Sequence, residues 1–217
     1  MKFRTSILSG VLALACAPAA FAADTVDLSV TGTIIPASCT PTLSGGSTID
    51  LGQISTANLS AASATSIPEQ SVTLSIHCPT ATSFAIRAQD NRAGSASNGG
   101  ANFYGLGSAP GGEKIGYYSL GVRGSTTTVD GGALGQGLTS SDGGTTWSAQ
   151  GTGDFWGTLP DGSKIFAFSK SAGAVPSAIQ DAAVTMRVVP SIAPRNGLPA
   201  SDDITIDGSV TFEMVYL

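Results

Sequence analysis

Ile204-Thr205-Ile206-Asp207-Gly208-Ser209-Val210-Thr211-Phe212-Glu213-Met214-Val215-Tyr216-Leu217 closes the chain. Ile204, Ile206, Val210, Phe212, Met214 and Tyr216 share one parity, with Gly208 among them. Thr205, Asp207, Ser209, Thr211 and Glu213 take the other, and only Val215 and Leu217 break the polar side. A period of two is that of a β-strand with one buried face. No helical spacing competes with it.

The same pattern recurs upstream. Val26, Leu28, Val30, Gly32 and Ile34 alternate with polar residues until Pro36, predicting a first strand running into Cys39. Thr48-Ile49-Asp50-Leu51 reads as a short strand. Val72, Leu74, Ile76 and Cys78 alternate with Ser71, Thr73, Ser75 and His77, and Phe84, Ile86 and Ala88 follow across an expected turn at Pro79-Thr80-Ala81. Further strands are expected at 115–122, 165–168 and 183–189. One weak helix is expected at 177–183. Asp130-Gly131-Gly132, Asp142-Gly143-Gly144, Asp161-Gly162 and Asn196-Gly197 are turn signals. Many short strands punctuated by turns imply an all-β antiparallel sandwich. Residues 93–112 and 124–153, rich in Gly, Ser and Thr, read as long loop insertions.

The N-terminus reads as a secretory signal peptide. Lys2 and Arg4 precede an apolar run at 7–15, too short to span a bilayer, and Ala20-Phe21-Ala22 is an A-x-A cleavage site. Ala13-Leu14-Ala15-Cys16 loosely resembles a lipoprotein box that would leave Cys16 lipidated; the A-x-A site is the better match. Cleavage after Ala22 leaves 23–217 as one domain, with eight basic against fifteen acidic residues. Cys39 and Cys78 then form an even pair in an exported protein, which reads as a disulfide. Two sulfurs and a distant lone His lack zinc-site spacing.

Composition excludes other classes. Of 217 residues, 12% are charged, 41% are hydrophobic and 28 are Gly, which is not the profile of a disordered chain. A net charge of -5 argues against a nucleic-acid partner, which needs clustered Lys and Arg. His77 is the sole histidine, on the polar parity of its strand, and is expected to face solvent. No nucleophile or metalloprotease motif is present, so no enzyme activity and no cofactor are expected. Gly105-Leu106-Gly107 and Gly151-Thr152-Gly153 precede no helix and read as loops rather than phosphate cradles.

The order of these features resembles the subunits of chaperone–usher pili. Three places carry the resemblance: Thr31-Gly32-Thr33-Ile34-Ile35-Pro36-Ala37-Ser38-Cys39; Ile49-Asp50-Leu51-Gly52-Gln53-Ile54, with Cys78 beyond it; and the terminal Val210–Leu217 segment with its penultimate aromatic. They cover 31–88 and 204–217, and the long middle looks closer to a divergent pilin-like secreted group. The resemblance implies an immunoglobulin-like sandwich lacking its final strand. An unpaired edge beside the C-terminal strand would be filled in trans by a donated strand. Val210, Phe212, Met214, Tyr216 and Leu217 would form the interface to a periplasmic chaperone and then to another pilus subunit at an outer-membrane usher. The implied route is export through the inner membrane, transit of the periplasm and residence in a fimbria at the cell surface.

Two departures stand out. If the first strand starts at Leu28, only 23–27 remain as donor, and five residues at ~3.4 Å each cannot fill a groove. Either Val26, Leu28, Val30, Gly32 and Ile34 double as donor, or the subunit only accepts a strand, as a tip or cap would. Gly208 also lies nearer the C-terminus than the glycine such pilins carry. The rival reading is a self-complete sandwich that binds a host glycan through the loop aromatics Phe103, Tyr104, Trp147, Phe155 and Trp156. A secreted hydrolase is the third.

Overall fold

The computed structural model describes residues 26–33, 38–153, 155–199 and 203–217. Ala20, Ala22, Cys16 and Ile34 lie outside them. The chain divides into two units, Met1–Ile35 and Pro36–Leu217.

In the first unit, residues 26–33 form no strand, and Val26, Leu28 and Val30 are 96%, 89% and 90% exposed. The expected first strand is therefore corrected. Alternation shows that a segment can present one apolar face; it does not supply the ladder partner without which a lone strand is unstable.

The second unit is built of strands β1 (Thr40–Leu43), β2 (Thr65–Ser66), β3 (Gln70–Thr82), β4 (Phe84–Asp90), β5 (Phe103–Gly105), β6 (Gly116–Val122), β7 (Thr128–Val129), β8 (Gly132–Ala133), β9 (Gln136–Ser140), β10 (Ser148–Gly151), β11 (Trp156–Gly157), β12 (Asp161–Ser169), β13 (Ile179–Ile192) and β14 (Val210–Tyr216). One sheet runs β1-β3-β13-β6-β11 with the short strands β2, β5, β7 and β8 attached; the other runs β10-β9-β12-β4-β14. The pairings are antiparallel. The fold is the expected all-β antiparallel sandwich.

Several local expectations are revised. Pro79-Thr80-Ala81 is not a turn but part of β3. β3 and β4 belong to different sheets, so Ser83 alone carries the chain across the sandwich. Thr48-Ile49-Asp50-Leu51 joins no ladder. The weak helix is extended instead: β13 starts at Ile179, buried with Ala182 against the core, and burial overrides a marginal helix propensity. The 93–112 segment contains β5, and 124–153 contains β7 to β10, so neither is a plain loop. The β7–β8 hairpin turns on Asp130 and Gly131, at φ 47° and 76°, the positive-φ pair that a two-residue hairpin demands.

Between the sheets lies the core. Leu74, Ile76, Val184 and Met186 from one sheet meet Phe84, Ile86, Phe166 and Phe168 from the other. Each such side chain contributes ~1.5–3 kcal/mol on burial. The disulfide joins Cys39 to Cys78, both within this core. A second, smaller cluster of Ala85, Leu138, Ile165 and Ala167 packs with Trp147 and Val215. That cluster explains why Val215 breaks the polar parity of its strand: both faces of β14 meet apolar neighbours at this point.

Asp130 predicts an acid sensitivity. Its carboxylate accepts backbone N–H groups from Asp181 and Gln180, each at 2.8 Å, and pairs with Lys170. The Asp181 N–H above all, then Lys170, pulls its pKa down to about 2. A depressed folded-state pKa gives stability that is present above the unfolded value of 3.8 and lost as pH falls towards 2. Amide exchange at Gln180 and Asp181 should therefore quicken over that window. Asp130→Asn should flatten the response.

Candidate functional site

β14 ends the order of its sheet. It pairs with β4 along its whole length, from Val210 opposite Asp90 to Tyr216 opposite Phe84. Among the described residues no strand pairs with its other edge. β1 likewise ends the order of the opposite sheet. An unpaired edge presents a row of backbone N–H and C=O groups, a template for another strand.

Beside this edge opens a groove of about 1150 Å³. Its floor is the inner face of the larger sheet, with Val72 of β3, Leu120 of β6 and Val188 of β13. One bank is 203–212, which contributes Ile204, Ile206, Val210 and Phe212. The other is 46–56, which contributes Ile49, Leu51 and Ile54. Among the described residues, the backbone of 46–54 makes no hydrogen bond to another segment; Gly52 N–H donates locally to Asp50 Oδ1 at 2.8 Å. Both banks thus bring apolar side chains and unused backbone groups to one trough.

The banks are pinned at particular points. Arg92 donates from Nε and Nη2 to the two carboxylate oxygens of Asp207, each at 2.8 Å, and Asp207 N–H donates to Leu106 O at 3.0 Å. This bidentate pair holds the approach to β14. At the far end, Tyr216 Oη accepts the Cys39 N–H at 2.7 Å, tying the last strand to the disulfide. Tyr216→Phe should cost about 1 kcal/mol, the usual net worth of one hydrogen bond. The denaturant midpoint measures it, and an unchanged midpoint would show the rim bond to be idle. Tyr118 lines the floor beneath. Burial, then the Asp90 charge, pushes its pKa well above the usual phenol, so it remains a neutral hydroxyl.

The C-terminal residues singled out in the sequence separate by position. Val210 and Phe212 line the groove, and Met214 packs on the core beneath it. Tyr216 stands at the rim, bonded to Cys39, whereas Leu217 lies off the groove, where a Cβ on Gly144 would fall 3.2 Å from its Cδ2, beside Trp147; both are about half exposed. Of this second bank, Ile49 and Leu51 carry the alternation that reads as a short strand at 48–51, and Ile54 falls outside it. The Arg92–Asp207 pair, separated by 115 residues, left no sequence signal.

The loop aromatics are not gathered into one surface. Tyr104 and Trp156 are core residues, Tyr104 stacking on Tyr118 and Trp156 meeting Phe166 and Phe168 edge-on. Phe103 packs against Tyr117, and Trp147 covers the smaller cluster. Phe155 alone among them is exposed. It lies on β6 at Gly121, where a Cβ would fall 2.4 Å from its ring, with the Arg187 guanidinium 5.3 Å from the ring centroid. Arg187 and Arg123 both donate to Glu69, whose pKa is held low by the Arg187 bond first, against the opposing pull of burial. These rings pin strands and loops to the sandwich. His77 is exposed, as expected, with Nδ1 2.7 Å from Asp181 Oδ1.

The structure is thus a disulfide-linked β-sandwich with an open edge and an apolar trough beside it. Residues 28–102 match a family described as a protein of unknown function, DUF1120. That span holds the disulfide cysteines Cys39 and Cys78, strands β1 to β4 and one bank of the groove. The "Uncharacterized protein YhcF" of Escherichia coli (strain K12) is 30% identical over 228 positions, covering 93% of this chain and 94% of its own. "Protein GltF" of the same strain is 26% identical over 255 positions, covering both chains in full. The chain belongs to one family with YhcF.

Proposed function

We propose that this chain is a structural subunit of a surface fibre, assembled when a β-strand donated by another polypeptide fills the groove beside β14. The observation that carries the reading is the coincidence of an unpaired strand edge with an apolar trough along the same residues, Val210 and Phe212. Backbone pairing would supply the ladder and alternate apolar side chains would fill the trough, the physics of β-augmentation. Each buried apolar side chain is worth ~1.5–3 kcal/mol before ordering costs. No covalent chemistry and no cofactor take part.

A second observation supports a donor role as well. The first strand of the sandwich starts at Thr40, not at Leu28, so the donor is not limited to residues 23–27. Val26, Leu28 and Val30 stand exposed with the alternation a donated strand needs. Nine residues, 26–34, reach ~30 Å at 3.4 Å each, against ~24 Å for the seven of β14. The partners on this reading are a periplasmic pilus chaperone, an outer-membrane usher and neighbouring subunits, and the destination is a fimbria at the cell surface. The glycan rival loses its premise where Tyr104 and Trp156 are buried.

The test is export of the mature chain, 23–217, to an oxidising periplasm with and without a pilus chaperone. Poor yield or polymers alone, rescued as a one-to-one complex, is the expected result. A stable monomer with a cooperative transition, indifferent to the chaperone, would sink strand donation.

A further inference from the structure

On the opposite face of the larger sheet from the groove lies a polar depression of about 520 Å³. It is made by two cross-strand rows. Thr40, His77 and Asp181 stand side by side on β1, β3 and β13; Ser75, Ala183 and Thr128 stand side by side on β3, β13 and β7. The small Ala183 leaves the hollow, and hydroxyls, a carboxylate and an imidazole surround it.

The wall at the β7–β8 turn is held more firmly than a two-residue hairpin requires. Gly131 lines the depression, and its neighbour Asp130 binds the backbone N–H groups of Gln180 and Asp181 and the Lys170 ammonium. Asp181 is thereby fixed through its own backbone while its Oδ1 meets His77. The held Asp181 backbone and the His77–Asp181 pair, open to solvent, preset part of a polar surface for a small polar ligand.

The chemistry narrows the ligand. Asp181 and Asp130 repel an anion, and Lys170 is already committed to Asp130. Among the described residues no three metal-ligating side chains come together, so a divalent cation is not favoured. The walls mix hydroxyls and charged groups with the apolar Ile76, Ala182 and Ala183, a lining that suits a guest with both polar and apolar faces rather than a wholly apolar one. Hydroxyls that both donate and accept, beside a carboxylate that accepts, match a polyhydroxylated neutral molecule. The volume lies within the range of small-ligand sites. We propose that this depression binds a neutral sugar unit of a glycan, at Thr40, Ser75, His77, Thr128 and Asp181. The site is independent of strand donation.

The test is a titration of the folded chain 23–217, in its partner complex where one is needed, with D-galactose, D-mannose and N-acetylglucosamine, followed by amide NMR. Saturable, millimolar shifts centred on Ser75, His77, Thr128 and Asp181 are expected with at least one sugar. Asp181→Ala should weaken binding about tenfold, the loss of one hydrogen bond to a charged group. Ser75→Val, which fills the hollow, should abolish it, with unchanged circular dichroism as the control for folding. Absence of saturable shifts with all three sugars, shifts centred elsewhere such as on Phe155, or indifference to both substitutions would overturn the proposal.

Discussion

Phe212→Asp is expected to abolish strand capture. Phe212 sits mid-way along β14, half-buried, lining the groove and packing on the core below. Its removal forfeits ~1.5–3 kcal/mol of apolar burial by an incoming strand, a factor of roughly 10–150 in affinity. A carboxylate in its place adds a desolvation penalty with no partner in the trough. The measurement is the affinity of the folded chain for a synthetic peptide of residues 26–34, alongside the yield of chaperone complex. Thr211→Asp is the control: Thr211 is exposed on the other parity of the same strand, and its substitution should leave both readings close to the original. Equal effects at 211 and 212 would mean that charge on the strand, not the groove, governs capture.

The second large effect concerns the disulfide. Replacing Cys39 and Cys78 together by Ser should destabilise the chain by about 4 kcal/mol, from the entropy returned to the unfolded state when a ring with 38 intervening residues is opened. The loss matters at the site because Cys39 N–H is the group that Tyr216 Oη accepts. Freeing residue 39 loosens the rim of β14 as well as the unfolded chain. Denaturant midpoints with and without reductant report the first effect; amide exchange at 210–216 reports the second. Exchange that stays slow while the midpoint drops would separate the disulfide from the groove.

Sequence and structure agree best where one period runs through a strand with one buried face. The alternation at 72–78 and 210–216 became β3 and β14 with the expected inward residues. They part where a partner is needed. Residues 26–33 and 48–51 alternate as well, yet neither joins a ladder. Periodicity records what a segment can bury, not whether an edge is present to receive it. Trp156 and Tyr104 illustrate the converse: Gly-rich surroundings leave open whether a ring pins a loop or faces a ligand, and long-range packing puts both in the core.

By itself, the amino-acid order determined the all-β class, the Cys39–Cys78 link and the inward parity of the last strand, because period, cysteine count and turn residues are local properties. Only the tertiary structure decided that β14 is an edge, that 46–56 forms the second bank of a groove, and that Arg92 clamps Asp207. Those features depend on which strands become neighbours, a matter of closing contacts between residues far apart in the chain. No local pattern encodes them.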